Sequence, residues 1–315
     1  MTPQDSLHDE ASCSAHFATL VTGTPAAAAY EAPSAHEAAV PARFDLGQSL
    51  QEKYRICTQG LAEFAAGMGA TDVVLGLSGG IDSSLVAVMC VQVFGADHVH
   101  GYMLPGPYST DHSLTDAQKL ADNLGISAST ISIVPAFQGF SQVLSGHCDM
   151  SAGRAAENTQ ARCRMAVLMA LANAHGWMMV NTGNKSEAQM GYSTLYGDTA
   201  GAYAPIGGLY KTDVFAMSAW VNDQAKLAGE VSPIPEHVLT KPPSAELAPN
   251  QRDEDTLGSY AWLDRLLVDH VDRGMDVAAL QDAGYDPVEA SRVISRVAHY
   301  AFKRALEPEF PPIAY

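Results

Sequence analysis

A seven-residue run, Ser78-Gly79-Gly80-Ile81-Asp82-Ser83-Ser84, constrains this chain more than any other stretch. Before it comes a short aliphatic run (Val73, Val74, Leu75, then Gly76 and Leu77), and after it a helical stretch over 83–94. Strand, glycine loop and helix in that order point backbone N–H groups and the positive end of a helix dipole at one spot, which suits a phosphate. The Walker loop would need Lys followed by Ser or Thr, and the dinucleotide fingerprint would need Gly-x-Gly-x-x-Gly; neither is present. Instead an acid, Asp82, stands where an anion should bind. A carboxylate and a phosphate that close together repel strongly in a cleft of low effective dielectric. A divalent cation resolves the conflict, because Mg²⁺ takes one or two carboxylates together with phosphate oxygens. The plain alternative is that Asp82 only caps its helix.

The rest of the chain repeats the alternation. A helix is expected over 47–68, with Leu50, Tyr54, Leu61 and Phe64 at helical spacing and Gly67 and Gly69 as stop signals. Strands follow over 98–104, 128–134 and 177–181, with helices over 113–124 and 154–175 between them. This predicts an α/β fold, an open and mostly parallel sheet with helices on both faces. Ligands bind such sheets at the carboxyl ends of the strands. Beyond Lys211 the chain reads as mostly helical, broken by Ser232-Pro233-Ile234-Pro235 and Lys241-Pro242-Pro243-Ser244. Residues 1–45, rich in Ala, Pro, Ser and Thr and without a period, read as a flexible N-terminal arm; 46–315 read as one domain.

Composition narrows the function. Eighteen basic against thirty-five acidic side chains give a net charge of −17, which would repel nucleic acid and anionic lipid. No apolar run approaches the length of a membrane span. Five cysteines without metal-ligand spacing, and a start without an export-signal pattern, lead us to expect a cytoplasmic enzyme that acts on small molecules.

The Ser-Gly-Gly-x-Asp-Ser loop resembles the pyrophosphatase loop of the N-type ATP pyrophosphatases, whose fold is adenine nucleotide alpha hydrolase-like. Within that group, Thr182-Gly183-Asn184-Lys185-Ser186-Glu187, Gly191-Tyr192 and Thr194-Leu195-Tyr196-Gly197-Asp198 are similar to the signature of the NAD synthetases. Glu157-Asn158-Thr159-Gln160-Ala161-Arg162 upstream and Pro242-Pro243-Ser244-Ala245-Glu246-Leu247 downstream extend the likeness, in order, over about 47–306. The details look closer to the synthetase domain of the long, glutamine-using enzymes. Leu195 stands where the short, ammonia-using enzymes have Lys, and Ala202 where they have Asp. Residues 1–45 are too few for the glutaminase domain of the long enzymes.

The resemblance implies a two-step ligase. The carboxylate of nicotinic acid adenine dinucleotide attacks ATP to give an acyl adenylate and pyrophosphate, and ammonia then displaces AMP to form NAD. It implies ATP contacts at Gly76, Leu77, Ser78, Gly79, Gly80, Ile81, Asp82, Ser83 and Ser84, and at Met103, Thr182, Lys211 and Ser244. Asp82, Lys211 and Glu187 would be catalytic, with Asp82 and Glu187 on Mg²⁺. Asn158, Glu187, Asp198 and Lys303 would touch the dinucleotide. Bland alternatives stand beside these: Glu187 as a helix-start acid, Lys211 as a surface lysine, Met103 as core, and Asn158 and Lys303 as solvated helix residues. Arg162 and Arg164 suit either phosphate binding or a helix-face ion pair. A homodimer and a separate glutaminase subunit are the expected partners. A tRNA-modifying ATP pyrophosphatase and a non-catalytic nucleotide sensor are the competing functions.

Overall fold

The structure, a computed structural model, describes residues 48–315, so the expected arm over 1–45 lies outside it. Helix α1 (Leu50–Met68) starts where Ser49 accepts a bond from the Glu52 N–H at 3.2 Å and ends at Gly69, whose left-handed backbone (φ 67°) turns the chain. Then come β1 (Val73–Gly76), α2 (Ile81–Phe94), β2 (Val99–Met103), α3 (Asp111–Leu124), β3 (Ser127–Thr130), α4 (Val134–Val143), α5 (Gly153–His175) and β4 (Met178–Met179). Helices α6 (Lys185–Met190) and α7 (Lys211–Ala228) carry site residues. The C-terminal part holds α8 (Glu236–Thr240), α9 (Glu254–Leu257), α10 (Tyr260–Leu267), α11 (Val277–Asp282), α12 (Pro287–His299) and α13 (Ala301–Arg304).

The four strands pair in parallel in the order β3-β2-β1-β4, with Val73 opposite Val99 and Met178, and His100 opposite Ser127. Because successive strand side chains point to opposite faces, β1 divides its apolar residues between two cores. Val73 and Leu75 join Leu61, Leu85, Met89 and Met217 under one face, while Val74 joins Leu104, Ile133, Leu168 and Met179 under the other. All three β1 side chains are fully buried, and each stabilises the fold by roughly 1.5–3 kcal/mol. A third core joins Leu263, Leu266, Leu267 and Val293 of the C-terminal helices to Met190 and Tyr210, the residues that end α6 and precede α7. Among the described residues no helix is long and apolar enough to cross a membrane.

Two expected elements differ. The strand expected over 128–134 stops at Thr130, and α4 begins at Val134 with Pro135 in its first turn. The strand expected over 177–181 is shorter, Met178–Met179, paired with β1. The Val180 N–H still donates to the Val74 carbonyl (3.0 Å) while Val180 also bridges to Tyr203, and the Asn181 amide donates to the carbonyls of Asp198 (2.7 Å) and Ala200 (2.8 Å).

Candidate functional site

At the carboxyl end of β1 the loop is held by its own hydroxyls. Ser78 Oγ and Ser83 Oγ lie 2.9 Å apart, the Gly80 N–H donates to Ser78 Oγ (3.1 Å), and Ser84 Oγ donates to the Gly80 carbonyl (2.8 Å). Gly79 has φ 74°, and a Cβ there would sit 2.2 Å from the Ser113 carbonyl oxygen, so glycine is required for both conformation and space. Gly80 is the N-cap of α2 and offers no side chain to its free N–H groups, which leaves them available to an anion.

Asp82 does not cap this helix. Its carboxylate accepts from Asn184 Nδ2 (2.8 Å) and from Lys211 Nζ (2.6 Å). Asn184 is fixed as the N-cap of α6, where its side-chain oxygen accepts from the Glu187 N–H. Lys211 opens α7 with its side chain only 2 % exposed, and its ammonium also bonds Glu187 Oε1 at 3.0 Å. One buried lysine therefore joins three segments far apart in sequence, and the surface-lysine alternative fails.

The charges around it do not balance. Asp82, Glu187 and Asp253 all act on the Lys211 ammonium; burial alone would lower its pKa, and the three carboxylates together raise it. Burial, with Asp82 and Asp253 adding repulsion, raises the Glu187 carboxyl even though Lys211 opposes this. Asp253 is buried; one of its oxygens accepts from Tyr260 (3.2 Å), and the Tyr192 hydroxyl lies beside it without a bond of normal geometry to the other. Three carboxylates around one ammonium leave an excess of negative charge that suits a second cation. Among the described residues no three metal-ligating side chains converge. A cation here would thus take Asp82 and Glu187 and complete its shell from a bound nucleotide, which is how Mg²⁺ binds in nucleotide sites.

The cluster forms the floor of a cavity of about 630 Å³, a volume suited to a small organic ligand. Gly76, Leu77, Ser78, Gly80, Ile81, Asp82 and Ser83 line it, as do Thr182, Glu187, Asp198, Lys211 and Ser244. Gly79 and Ser84 support the loop from behind. Asp198 accepts from the Thr194 N–H at 2.6 Å; what it exposes faces the cavity, and burial pushes its pKa up to about 6. Ser244 Oγ donates to the Gln251 carbonyl (2.6 Å) and so folds the 241–253 segment into a strap along the rim. Three expected contacts lie off the wall. Met103 is buried in the core and its carbonyl accepts from the Ile131 N–H, while its neighbours Tyr102 and Leu104 line the cavity. Asn158 accepts from Thr194 Oγ1 (2.9 Å), and Lys303 Nζ donates to the carbonyls of Gly191 and Ser193, so both brace the 191–199 loop from outside.

The two arginines of α5 separate. Arg164 lines the cavity with Nε on the Leu104 carbonyl (3.0 Å), whereas Arg162 is exposed and donates to the Leu195 carbonyl (3.1 Å). Sequence reasoning missed Asp253 and gave Glu246 no role. Glu246, at φ 48°, accepts from the Thr110 N–H (3.2 Å), Thr110 Oγ1 (2.8 Å) and Ser113 Oγ (2.6 Å), and so fastens the strap to α3. The positive φ appears only in the fold, and in the sequence Asp253 sits in an acidic run that reads as solvated.

Residues 54–307 match the family model described as NAD synthase. The chain belongs to the NAD synthase family. It is 40 % identical over 258 residues to the glutamine-dependent NAD(+) synthetase of Thermotoga maritima, covering 81 % of this chain and 44 % of that protein. It therefore spans less than half the length of that relative. Among solved structures, NMN synthetase from Francisella tularensis superimposes with a TM-score of 0.66 at 29 % identity, over 82 % of this chain and 97 % of that one. The NH3-dependent NAD synthetase from Campylobacter jejuni gives 0.65 at 26 %, over 82 % and 96 %. In this NAD synthase fold the glycine loop, the 182–187 turn and the strap all open onto one cavity at the carboxyl edge of the sheet.

Proposed function

We propose that this chain is an NAD synthetase: it activates the carboxylate of nicotinic acid adenine dinucleotide with ATP, releases pyrophosphate, and passes the acyl group from AMP to ammonia. The observation that carries this reading is the buried Lys211 ammonium held between Asp82 and Glu187 at the mouth of a glycine loop. The free N–H groups at the start of α2 would bind triphosphate oxygens. In the first step a substrate carboxylate oxygen bonds to the α-phosphorus as the bond to the β-phosphate bridging oxygen breaks. Lys211 stands at the loop, where it stabilises negative charge building on the departing pyrophosphate. Mg²⁺, held by Asp82 and Glu187, would supply the charge neutralisation that two approaching anions require. In the second step the ammonia nitrogen bonds to the acyl carbon, AMP leaves with the bonding pair, and one proton is lost. The cavity walls, closed by the strap, keep water from competing for the adenylate.

Protein given ATP, Mg²⁺, the dinucleotide and ammonium should release AMP, pyrophosphate and NAD in equal amounts. ADP as the product would contradict the reading. An arm with a mononucleotide carboxylate in place of the dinucleotide tests the alternative that the Francisella likeness suggests. Ammonium compared with glutamine tests the nitrogen donor, and glutamine use by this chain alone would remove the need for a separate glutaminase subunit. We place the protein in the cytoplasm as a homodimer without nucleic-acid partners, which cell fractionation, sedimentation and tRNA filter binding would test.

A further inference from the structure

We propose that Asp264, a residue outside the cavity wall, is the positioning residue that sets Lys211 and Glu187 in register. The inference rests on the reading that these two groups act in catalysis. Lys211 and Thr212 open α7, and the first N–H groups of a helix have no acceptor within it. Tyr210, the N-cap, makes no side-chain capping bond, its hydroxyl donating to Asp272 instead (2.6 Å). The acceptors come from elsewhere: the Lys211 N–H donates to Ser186 Oγ (2.8 Å) and the Thr212 N–H to Asp264 Oδ2 (2.8 Å). Ser186 in turn donates its hydroxyl proton to Asp264 Oδ1 at 2.5 Å.

A backbone N–H can only donate, so Ser186 Oγ accepts from Lys211 and Asp264 Oδ2 accepts from Thr212. With Asp264 ionised, the Ser186 hydroxyl gives its single proton to Oδ1, and both carboxylate oxygens accept, one from α6 and one from α7. Ser186 precedes Glu187, and Thr212 follows Lys211. A fully buried carboxylate thus ties together the starts of the two helices whose side chains meet Asp82. Its own helix, α10, is held by Leu263, Leu266 and Leu267, all fully buried in the C-terminal core. The C-terminal helices act in this way as a fixed post against which the catalytic pair is registered. Burial pushes the Asp264 carboxyl up to about 6, against the pull of Ser186 and Thr212. The two bonds hold it as an acceptor near neutral pH. Asp213 lies close enough to add repulsion, but its own carboxylate is engaged by Lys53 (2.8 Å) and the Tyr315 hydroxyl (2.7 Å).

The test combines amide hydrogen exchange with steady-state kinetics on Ser186→Ala, Asp264→Ala and the double variant. Ser186→Ala should speed exchange of the Lys211 amide, and Asp264→Ala that of both Lys211 and Thr212, by about 10-fold or more, while the amides of α1 keep their protection. kcat should fall about 10- to 100-fold with the KM for ATP within about 3-fold, because a catalytic group displaced by about 1 Å costs rate rather than affinity. The double variant should be no slower than Asp264→Ala, since both substitutions cut one relay. If Asp264→Ala does not fold, Ser186→Ala decides the question alone. Unchanged Lys211 protection in folded Ser186→Ala would overturn the proposal, as would wild-type kcat in that variant or losses that multiply. An inactive wild-type protein would refute the synthetase reading instead, and the exchange pattern would still decide whether Asp264 positions the two helices.

Discussion

The two ends of the sheet treat the same kind of side chain in opposite ways. At the amino end, Asp72 sits beside the start of β1 and accepts from His100 Nε2 (3.0 Å) and His98 Nδ1 (3.2 Å), and Trp177 stacks between His100 and His175. Bonds from His100 and Thr71 hold the Asp72 carboxyl down at about 2. At the carboxyl end, Asp82, Glu187 and Asp253 crowd one ammonium, and burial raises both Glu187 and Asp253. More partners than acids gives a structural clasp; more acids than partners gives a site that demands cations and stores chemistry.

The largest effect should come from breaking the crowded end. Lys211→Ala or Asp82→Ala should lower kcat by about 10³-fold or more. Lys211→Ala should also lower thermal stability in the ligand-free protein, because removing one partner of a buried ion cluster leaves charge uncompensated at a cost of about 3–5 kcal/mol. Calorimetry beside turnover checks both. Gly79→Ala comes next. Its Cβ would overlap the Ser113 carbonyl in a left-handed backbone, so kcat/KM for ATP should fall by about 10²-fold, a misplacement effect, with α2 still folded by circular dichroism.

A pH comparison sharpens the contrast by its sign. Asp264 titrates at about 6 in the fold against a reference of 3.8, so its contribution to stability is fully present below pH 3.8 and is lost as pH rises through about 6. Asp72, at about 2 against 3.8, contributes stability that is present above pH 3.8 and is lost as pH falls toward about 2. Urea titrations should show the first slope become shallower in Asp264→Asn and the second in Asp72→Asn, with the other shifted carboxylates supplying what remains. Two slopes of the same sign would break the comparison. The smallest effect is the last: at neutral pH Asp72→Asn should cost at most about 1 kcal/mol, the range of partly exposed ion pairs, and leave kcat untouched.

What the sequence made legible is what local chemistry fixes. The glycine loop, its strand and its helix follow from residue types at adjacent positions, and the segments bearing Thr182, Glu187 and Asp198 do line the cavity beside it. Helix α4 was missed because it contains Pro135 and Gly139 and buries no residue completely, so it carries no core-facing stripe. Asp253, Glu246 and Asp264 were invisible for another reason. Each is an acid with no motif of its own, indistinguishable from a solvated one until the fold buries Asp253 and Asp264 and places Glu246 on the Thr110 N–H and the Thr110 and Ser113 hydroxyls at the start of α3. Met103, Asn158 and Lys303 are placed differently: the Met103 side chain lies in the core, and the Asn158 and Lys303 side chains bond the 191–199 loop.

Isotope transfer tests the central claim directly. Dinucleotide substrate carrying ¹⁸O in its nicotinate carboxylate, turned over with ATP and ammonium, should deliver one ¹⁸O to the phosphate of AMP and none to pyrophosphate, as attack by that carboxylate on the α-phosphorus requires. Label found in pyrophosphate or inorganic phosphate, or AMP free of label while NAD forms, would contradict the account.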